Sequence, residues 1–290
     1  MFLIEKLELY PSFSPNEQVL VDYILTQREE LADQTTADIA KATYLSKSSL
    51  VRMAQKLGYH GWSDFKTTFL EEMTYFHQQA GSIDANRPFE STDNYLQIAS
   101  KIAQLKKEAI DETLSLIKAR DINKAIQLLE TAQTIHVFAV SNNLLNAQEF
   151  VHHMTRIQKD VRLHQLHGES LFNAYLAKED SIALIISYSG FSITIDPICQ
   201  LLKKKGIPII GITSLGENPV SQLADVTLRL ATKEKLYSKI GTFATDSSLT
   251  YLLDVLYASV FRKDYQANLN LRKQASQEIE YERYAHSKEE

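Results

Sequence analysis

At residue 134 the hydrophobic period of this chain changes, and the change limits what its larger part can fold into. Five short β-rich runs follow one another: TIHVFAV (134–140), the weaker VRLHQL (161–166), SIALIISY (181–188), IPIIGIT (207–213) and VTLRLA (226–231), with helical segments between them. Strands that are apolar along their whole length are buried on both faces, the situation of parallel strands joined by crossover helices. The expectation is an α/β three-layer sandwich with a five-stranded parallel sheet. Such sheets place ligands beyond the C-terminal strand ends, where the chain turns into the next helix.

Ahead of residue 134 the pattern is helical. Residues 15–32 read as an amphipathic helix with Pro15 in its first turn and Ser14 as its cap. In 36–66, Ala37, Ile39 and Ala40, then Leu50, Val51, Ala54 and Leu57, keep the three- and four-residue spacings of an apolar helical face, with a break around Thr43–Leu45. That is a helix-turn-helix, followed by a further helix over 63–77. The stretch 78–93 is polar, contains Gly81 and Pro88 and has no apolar period, so it reads as a linker. Residues 94–132 form two helices divided near Ala119–Asp121. With 290 residues, 44% hydrophobic and 23% charged, the chain has room for two cores. The expected division is an all-α helix-turn-helix bundle over 1–77, the linker, the sheet domain over 94–265 and a polar tail over 266–290.

The second helix of the hairpin opens Ser46-Lys47-Ser48-Ser49 and carries Arg52 and Lys56 outward. Ser46 can cap it. The N-terminal residues of such a helix reach base edges, and nearby cations and hydroxyls hold phosphates. Thr36, Ser46, Lys47, Ser48, Ser49, Arg52 and Lys56 are the candidate contacts with double-stranded DNA. From 45 to 66 four cations face one anion, a local +3 in a chain of net charge −5, so a localised basic surface is expected and wholesale coating of nucleic acid is not.

In the sheet domain, Ser187-Tyr188-Ser189-Gly190-Phe191-Ser192 lies between a buried strand and a helix. Backbone N–H groups, the helix dipole and the Oγ atoms of Ser187, Ser189 and Ser192 can converge there on an anion such as phosphate. The turn after 134–140 offers Ser141, Asn142 and Asn143. Asp196-Pro197 leaves open whether the following helix starts at Ser192 or at Asp196. His164 and His167 read chiefly as loop residues, and Lys239 as solvated. His152 and His153 diverge on a helix, and no metal or cofactor site is expected. The single Cys199, in ICQLL, reads as packing. No apolar run approaches the ~20 residues of a membrane span. MFLIEKLELY lacks the marks of a secretory signal, so the expected location is cytoplasmic.

Leu57-Gly58-Tyr59 and Gly61-Trp62-Ser63-Asp64-Phe65-Lys66 resemble the elements that follow the reading helix in the RpiR (MurR) family of bacterial regulators. The Ser-x-Ser-Gly loop resembles the phosphate loop of the sugar isomerase (SIS) domain that these regulators carry. GIPIIGITSLGENPVSQLADVTLRL and LLDVLYASVF (252–261) resemble its later strands and closing helix. The resemblance implies a SIS fold and a non-enzymatic regulator of carbohydrate metabolism. It further implies an inverted-repeat operator, a homodimer or dimer of dimers, and a phosphosugar or related sugar derivative as effector. Two features depart from the family. Its Gly-x-Gly-x-Ser loop is replaced by Ala139-Val140-Ser141-Asn142-Asn143, and its arginine near the closing helix by Ala244-Thr245-Asp246-Ser247. Two alternatives stay open: the same regulator with a SIS domain used only for dimerisation, or an aldose–ketose phosphosugar isomerase with Glu169, His167 or Glu234 as base.

Overall fold

Capping and burial fix the helices of the first part of the chain. A computed structural model describes residues 3–9, 13–77, 83–231, 233–235 and 238–286, and the chain divides into two compact units, residues 1–84 with 235–237 and residues 85–234 with 238–290. In the first unit α1 is Leu3–Leu9, α2 Pro15–Gln27, α3 Thr36–Ala42, α4 Lys47–Lys56 and α5 Trp62–His77. Ser14 with Glu17, and Thr35 with Asp38, form reciprocal capping boxes at the starts of α2 and α3. The helix expected over 15–32 stops early: Arg28 takes φ 46° and the chain continues as a 3-10 turn over Arg28–Asp33. After Ile24 the next residue described as buried is Leu31, so no core contact holds an α-helix across the intervening stretch. The core joins Leu20, Ile24, Leu31, Ile39, Leu50, Met53 and Phe65. Trp62 stacks on Phe65 with ring centroids 5.0 Å apart, and Tyr59 meets Phe65 edge-on at 5.6 Å, which seats α5 under the hairpin.

In the second unit α6 is Tyr95–Leu116 and α7 Ala119–Thr131, so the break falls at Ile117-Lys118, just ahead of the expected place. There follow β1 Thr134–Ala139, α8 Asn143–Thr155, β2 Asp160–Leu163, α9 Ser170–Leu176, β3 Ser181–Ser187 and α10 Ile195–Lys204. The unit closes with β4 Ile209–Thr213, α11 Pro219–Leu223, β5 Val226–Arg229, α12 Phe243–Lys263 and α13 Tyr265–His286. The five strands form one sheet in the order β2-β1-β3-β4-β5, and every pairing is parallel. On one face Ala125 and Leu129 of α7, Phe150 of α8 and Leu252 and Leu256 of α12 pack on Val137, Leu184 and Ile212. On the other, Ala174 of α9, Ile198 and Leu202 of α10 and Val220 of α11 pack on Phe138, Ala183 and Ile185. This is the three-layer α/β sandwich with a five-stranded parallel sheet.

Of the polar stretch 78–93, residues 78–82 lie outside the described residues, and the remainder runs as turns with Ala85 and Pro88 buried. The polar C-terminal stretch is helical as α13, and 287–290 lie outside the described residues. Cys199 is buried in the second core, and burial pushes its thiol up to about 12. Among the described residues no helix is long and apolar enough to cross a membrane.

The start of α1 rests on a buried acid. Glu72 of α5 accepts the N–H of Leu3 at 2.7 Å and of Ile4 at 3.3 Å, and burial raises its pKa from 4.5 to about 7 against the opposing pull of these bonds. Between pH 4.5 and 7 the folded state therefore holds a proton that the unfolded chain has released, so this group's contribution to stability is complete below pH 4.5 and lost as pH rises through about 7. The stability difference between wild type and Glu72→Gln should accordingly swing against wild type by up to about 3 kcal/mol across that interval. Chemical denaturation of both proteins at a series of pH values checks this; a pH-independent difference would contradict it.

Candidate functional site

In the first unit the reading helix is anchored from below and polar above. Leu50, Met53 and Ala54 of α4 are fully buried, while Lys47, Ser48 and Arg52 are exposed and Ser49 is half-buried. Ser46 caps the helix, its Oγ accepting the Ser49 N–H at 3.2 Å and lying 2.8 Å from Ser48 Oγ and 2.9 Å from Ser49 Oγ. Arg52 donates to Ser49 Oγ at 3.4 Å, which lays the guanidinium back along the helix. Four candidates, Ser46, Ser48, Ser49 and Arg52, are thus linked by hydrogen bonds, with Lys47 exposed beside them in the first turn.

The other two candidates stand apart. Lys56 pairs with Glu17 at 2.8 Å and lies over the Phe13 ring, so its charge is engaged within the unit. Thr36 is the half-buried first residue of α3, and the cap is Thr35. Tyr44 is not among the candidates that the sequence offers. It occupies the turn between α3 and α4 at φ 56° and is 96% exposed, and its place beside the reading helix was the available signal.

In the second unit the loops at the C-terminal strand ends carry the polar groups. Ser187 ends β3, buried, in register with Thr213 at the end of β4. Ser189 Oγ donates to the Phe191 carbonyl at 2.9 Å and accepts the Phe191 N–H at 3.2 Å, which folds the loop tightly. Ser192 Oγ accepts the N–H of Thr194 at 3.2 Å and of Ile195 at 3.3 Å, while Asp196 accepts the Ser192 N–H at 3.3 Å. Neither of the two starts left open is the one observed: α10 begins at Ile195, and Pro197 falls in its first turn, where a missing N–H costs little. Gly190 takes φ 67°, and a Cβ there would lie 2.1 Å from Asn218 Cγ. Asn218 caps α11 and donates to Thr213 Oγ at 3.2 Å, and Arg229 holds the same turn by donating to the carbonyls of Ser214 at 2.8 Å and Gly216 at 2.7 Å. The serine loop thus leans on a rigid neighbour.

The first loop is spoken for in part. Asn142 donates to Asp246 at 2.8 Å and to Thr242 at 3.1 Å; Asn146 donates to Asp246 at 3.2 Å; Thr242 donates to the other oxygen of Asp246 at 2.6 Å. Asp246 therefore gathers α8 and the start of α12 about itself. Asn146, one helical turn beyond Asn142, was legible from its spacing but not singled out. Ser141 is exposed at φ 56°, and Asn143 is the half-buried first residue of α8. Below this cluster Glu234 is buried, its carboxylate accepting the N–H of Ala244 at 2.7 Å and of Thr245 at 3.0 Å as well as the Thr245 hydroxyl. Burial raises its pKa despite these bonds. The Tyr188 hydroxyl donates to the Glu234 carbonyl, and Lys239 Nζ lies 5.1 Å from the centre of the Tyr188 ring.

One histidine differs from expectation. His164 is no loop residue in solvent: it lies half-buried, its Nε2 2.9 Å from His136 Nδ1, stacked on Phe138. Burial first, then His136 and Arg162, lower its pKa to about 4, so the pair is neutral at pH 7. The side chain of His167 lies outside the described residues. His152 and His153 have rings 5.9 Å apart, and among the described residues no group of three or more His, Cys, Asp or Glu is placed to hold a metal ion. A cavity of about 280 Å³ opens at the β5 edge between Lys118, Asp121, Asp225 and Arg229, away from the serine loop.

Residues 1–75 match the model of the helix-turn-helix domain, rpiR family, and residues 128–258 match the SIS domain. The chain belongs to the RpiR family. It is a helix-turn-helix transcriptional regulator with a SIS domain. Over 258 residues, 89% of each chain, it is 26% identical to an uncharacterized HTH-type transcriptional regulator of Caldanaerobacter subterraneus subsp. tengcongensis. Its fold is that of the Vibrio vulnificus NanR protein complexed with ManNAc-6P, at TM-score 0.63 and 22% identity, covering 96% of this chain and 97% of that one. The sugar isomerase domain of an RpiR transcription factor from Sphaerobacter thermophilus matches at TM-score 0.56 and 14% identity, covering 62% of this chain and 99% of that one.

Within this RpiR-family SIS domain, Gly190 leaves no room for a Cβ beside Asn218. Gly190→Ala should destabilise the protein by ~1–3 kcal/mol, the cost of a left-handed φ outside glycine with the Asn218 clash added. In the Asn218→Ala background the same change should cost less, because the contacts with Asn218 Cγ and Oδ1 at 2.1 Å are removed and only that with Cβ at 2.6 Å and the φ strain persist. A double-mutant cycle by denaturant unfolding reads the coupling, and additive effects would refute the contact.

Proposed function

We propose that this regulator binds an inverted-repeat operator as a homodimer, with α4 in the major groove, and that its SIS domain takes a phosphosugar or related sugar derivative at the loop 187–192. The observation that carries the DNA half is the row Ser46 to Ser49 with Arg52, held outward by a helix whose opposite face is fully buried. Two such helices about one DNA turn apart read two half-sites. The effector half is supported by the loop's position at the C-terminal strand ends and by Lys239 beside Tyr188. The similar NanR fold holding ManNAc-6P supports the same reading. Effector binding shifts the dimer between arrangements of different operator affinity by linkage.

We assign no catalysis. Glu234, among the described residues the one buried carboxylate near the loop, is committed to the first turn of α12, and Glu169 lies exposed in a 3-10 turn. One observation favours a second reading, in which the SIS domain serves dimerisation alone: the amide of Asn142 is already bonded to Asp246 and Thr242. Thermal-shift measurements against a panel of hexose, pentose and N-acetylhexosamine phosphates separate the two. A specific ligand raises the melting temperature by mass action, and a flat response across the panel would leave the dimerisation reading.

Arg52→Ala should weaken operator binding by ~1–3 kcal/mol and relax preference at one base position if the guanidinium reads a base. If it holds a phosphate, all sequences should weaken alike and the salt slope should fall by about 1. Fluorescence anisotropy against genomic fragments over a salt series distinguishes these outcomes. Unchanged binding would remove Arg52 from the interface. Ser189→Ala should leave binding by the free protein intact and blunt the effector's influence on it.

A further inference from the structure

α3 ends in a turn that favours glycine, and the residue there is a tyrosine. The Leu45 N–H donates to the Ala40 carbonyl at 2.9 Å and the Tyr44 N–H to the Lys41 carbonyl at 3.3 Å, the paired bonds that close a helix through one residue of left-handed backbone. Tyr44 is that residue, at φ 56°. α4 and α10 close with the same two bonds, and there Gly58 at φ 93° and Gly206 at φ 71° take the position. Gln158 takes it after α8, but an exposed glutamine leaves a polar chain in water. A Cβ makes left-handed backbone costly, and a bulky ring in that conformation is an outlier that calls for a cause.

The cause is not packing. The side chain is 96% exposed, so the core of its unit gains nothing from the ring. Its neighbours are fixed: Thr43 is buried with its hydroxyl donating to the Ile39 carbonyl at 2.7 Å, and Leu45 is half-buried. The direction of the Tyr44 side chain is therefore set by the backbone, with two side-chain rotations left to order. Exposed Lys41 and Lys47 flank it, and from Ile39 to Ser63 the chain has four cations and no acid. Such surroundings suit an anionic surface better than a protein one. In a helix-turn-helix the first helix crosses the DNA backbone and the second enters the major groove, so the turn between them runs along the phosphate wall.

We propose that Tyr44 is a DNA contact, its hydroxyl donating to a phosphate oxygen at the edge of the groove that α4 reads and its ring lying on the adjoining sugar. The stability given up at φ 56° is thereby exchanged for a fixed, amphipathic side chain at the groove wall. A phosphate contact distinguishes no base, and a neutral donor displaces no counterion, which separates the role of Tyr44 from that of Arg52 and the lysines. The proposal deepens the reading of α4 as the helix in the groove and rests on it.

Fluorescence anisotropy of the full-length protein over a salt series, on a genomic fragment that it selects and on a scrambled duplex of the same length, tests this beside thermal unfolding. Tyr44→Phe should weaken binding to both duplexes alike by roughly five- to ten-fold, the loss of one hydrogen bond to a charged acceptor, with the salt slope unchanged. Tyr44→Gly should weaken binding further, because the ring is lost as well, and should raise the melting temperature by ~1–3 °C as the left-handed backbone relaxes. A tyrosine kept for structure would give the reverse, a lower melting temperature and intact binding. Either of those results, a loss confined to the selected fragment, or an altered salt slope would overturn the proposal. If Arg52→Ala weakens binding and the Tyr44 variants do not, the Tyr44 contact falls while the reading of α4 stands. A wild type that selects no fragment, yet binds scrambled duplex through Tyr44, would sink the operator reading and leave the contact in place.

Discussion

A strand buried on both faces has little place for a polar side chain within its length, and this restriction governs the two central strands β3 and β4 of the second unit. All seven residues of β3 and all five of β4 are buried, and hydroxyls occur at their ends, where Ser187 faces Thr213 in the next strand. One step beyond, the Ser214 N–H still donates to the Tyr188 carbonyl at 3.0 Å, prolonging the ladder by a residue before the two turns part. The boundary between apolar sheet and polar loops is therefore a sharp line across the C-terminal edge. Side chains that recognise a polar molecule are confined to it by the same burial that stabilises the sheet.

At that edge the protein's own side chains already serve the N-termini of α10 and α12. Glu234 accepts the first free N–H groups of α12, and Asp196 and Ser192 serve the start of α10. These are positions where a helix dipole favours negative charge. Under the proposed reading a phosphate would meet helix ends at α10 and α12 that are already satisfied, which leaves it the turn from Tyr188 to Phe191, where Lys239 lies over the Tyr188 ring. Asp246, drawn in by Asn142, Asn146 and Thr242, adds negative charge on the α8 side, where hydroxyl or amine donors of a sugar are better matched than a second anion.

How much of this was legible depended on whether the signal was periodic. The sheet was legible because continuous apolar runs have one economical explanation, and all five strands formed within a few residues of the expected bounds. The hairpin was legible from its spacing and its Ser46 cap. The early end of α2 was not, because the charged residues at 28–30 fit the outer face of a helix as well as they fit a 3-10 turn. The commitments of Lys56 to Glu17, of His164 to His136 and of Asn142 to Asp246 join residues from 28 to 104 positions apart in sequence. No local pattern encodes such pairs. Tyr44 escaped for the opposite reason: a lone tyrosine in a turn reads as packing until its exposure is known.

α4 and α9 show one principle with opposite chemistry. In each, the inward face is decided by the core and the outward face by whatever the helix meets. α4 sends large apolar residues in and hydroxyls and cations out, and its exposed row suits a hydrated, anionic surface that it must also be able to leave. α9 sends alanine in and phenylalanine, tyrosine and leucine out, and such a face in water lowers its free energy only by being covered.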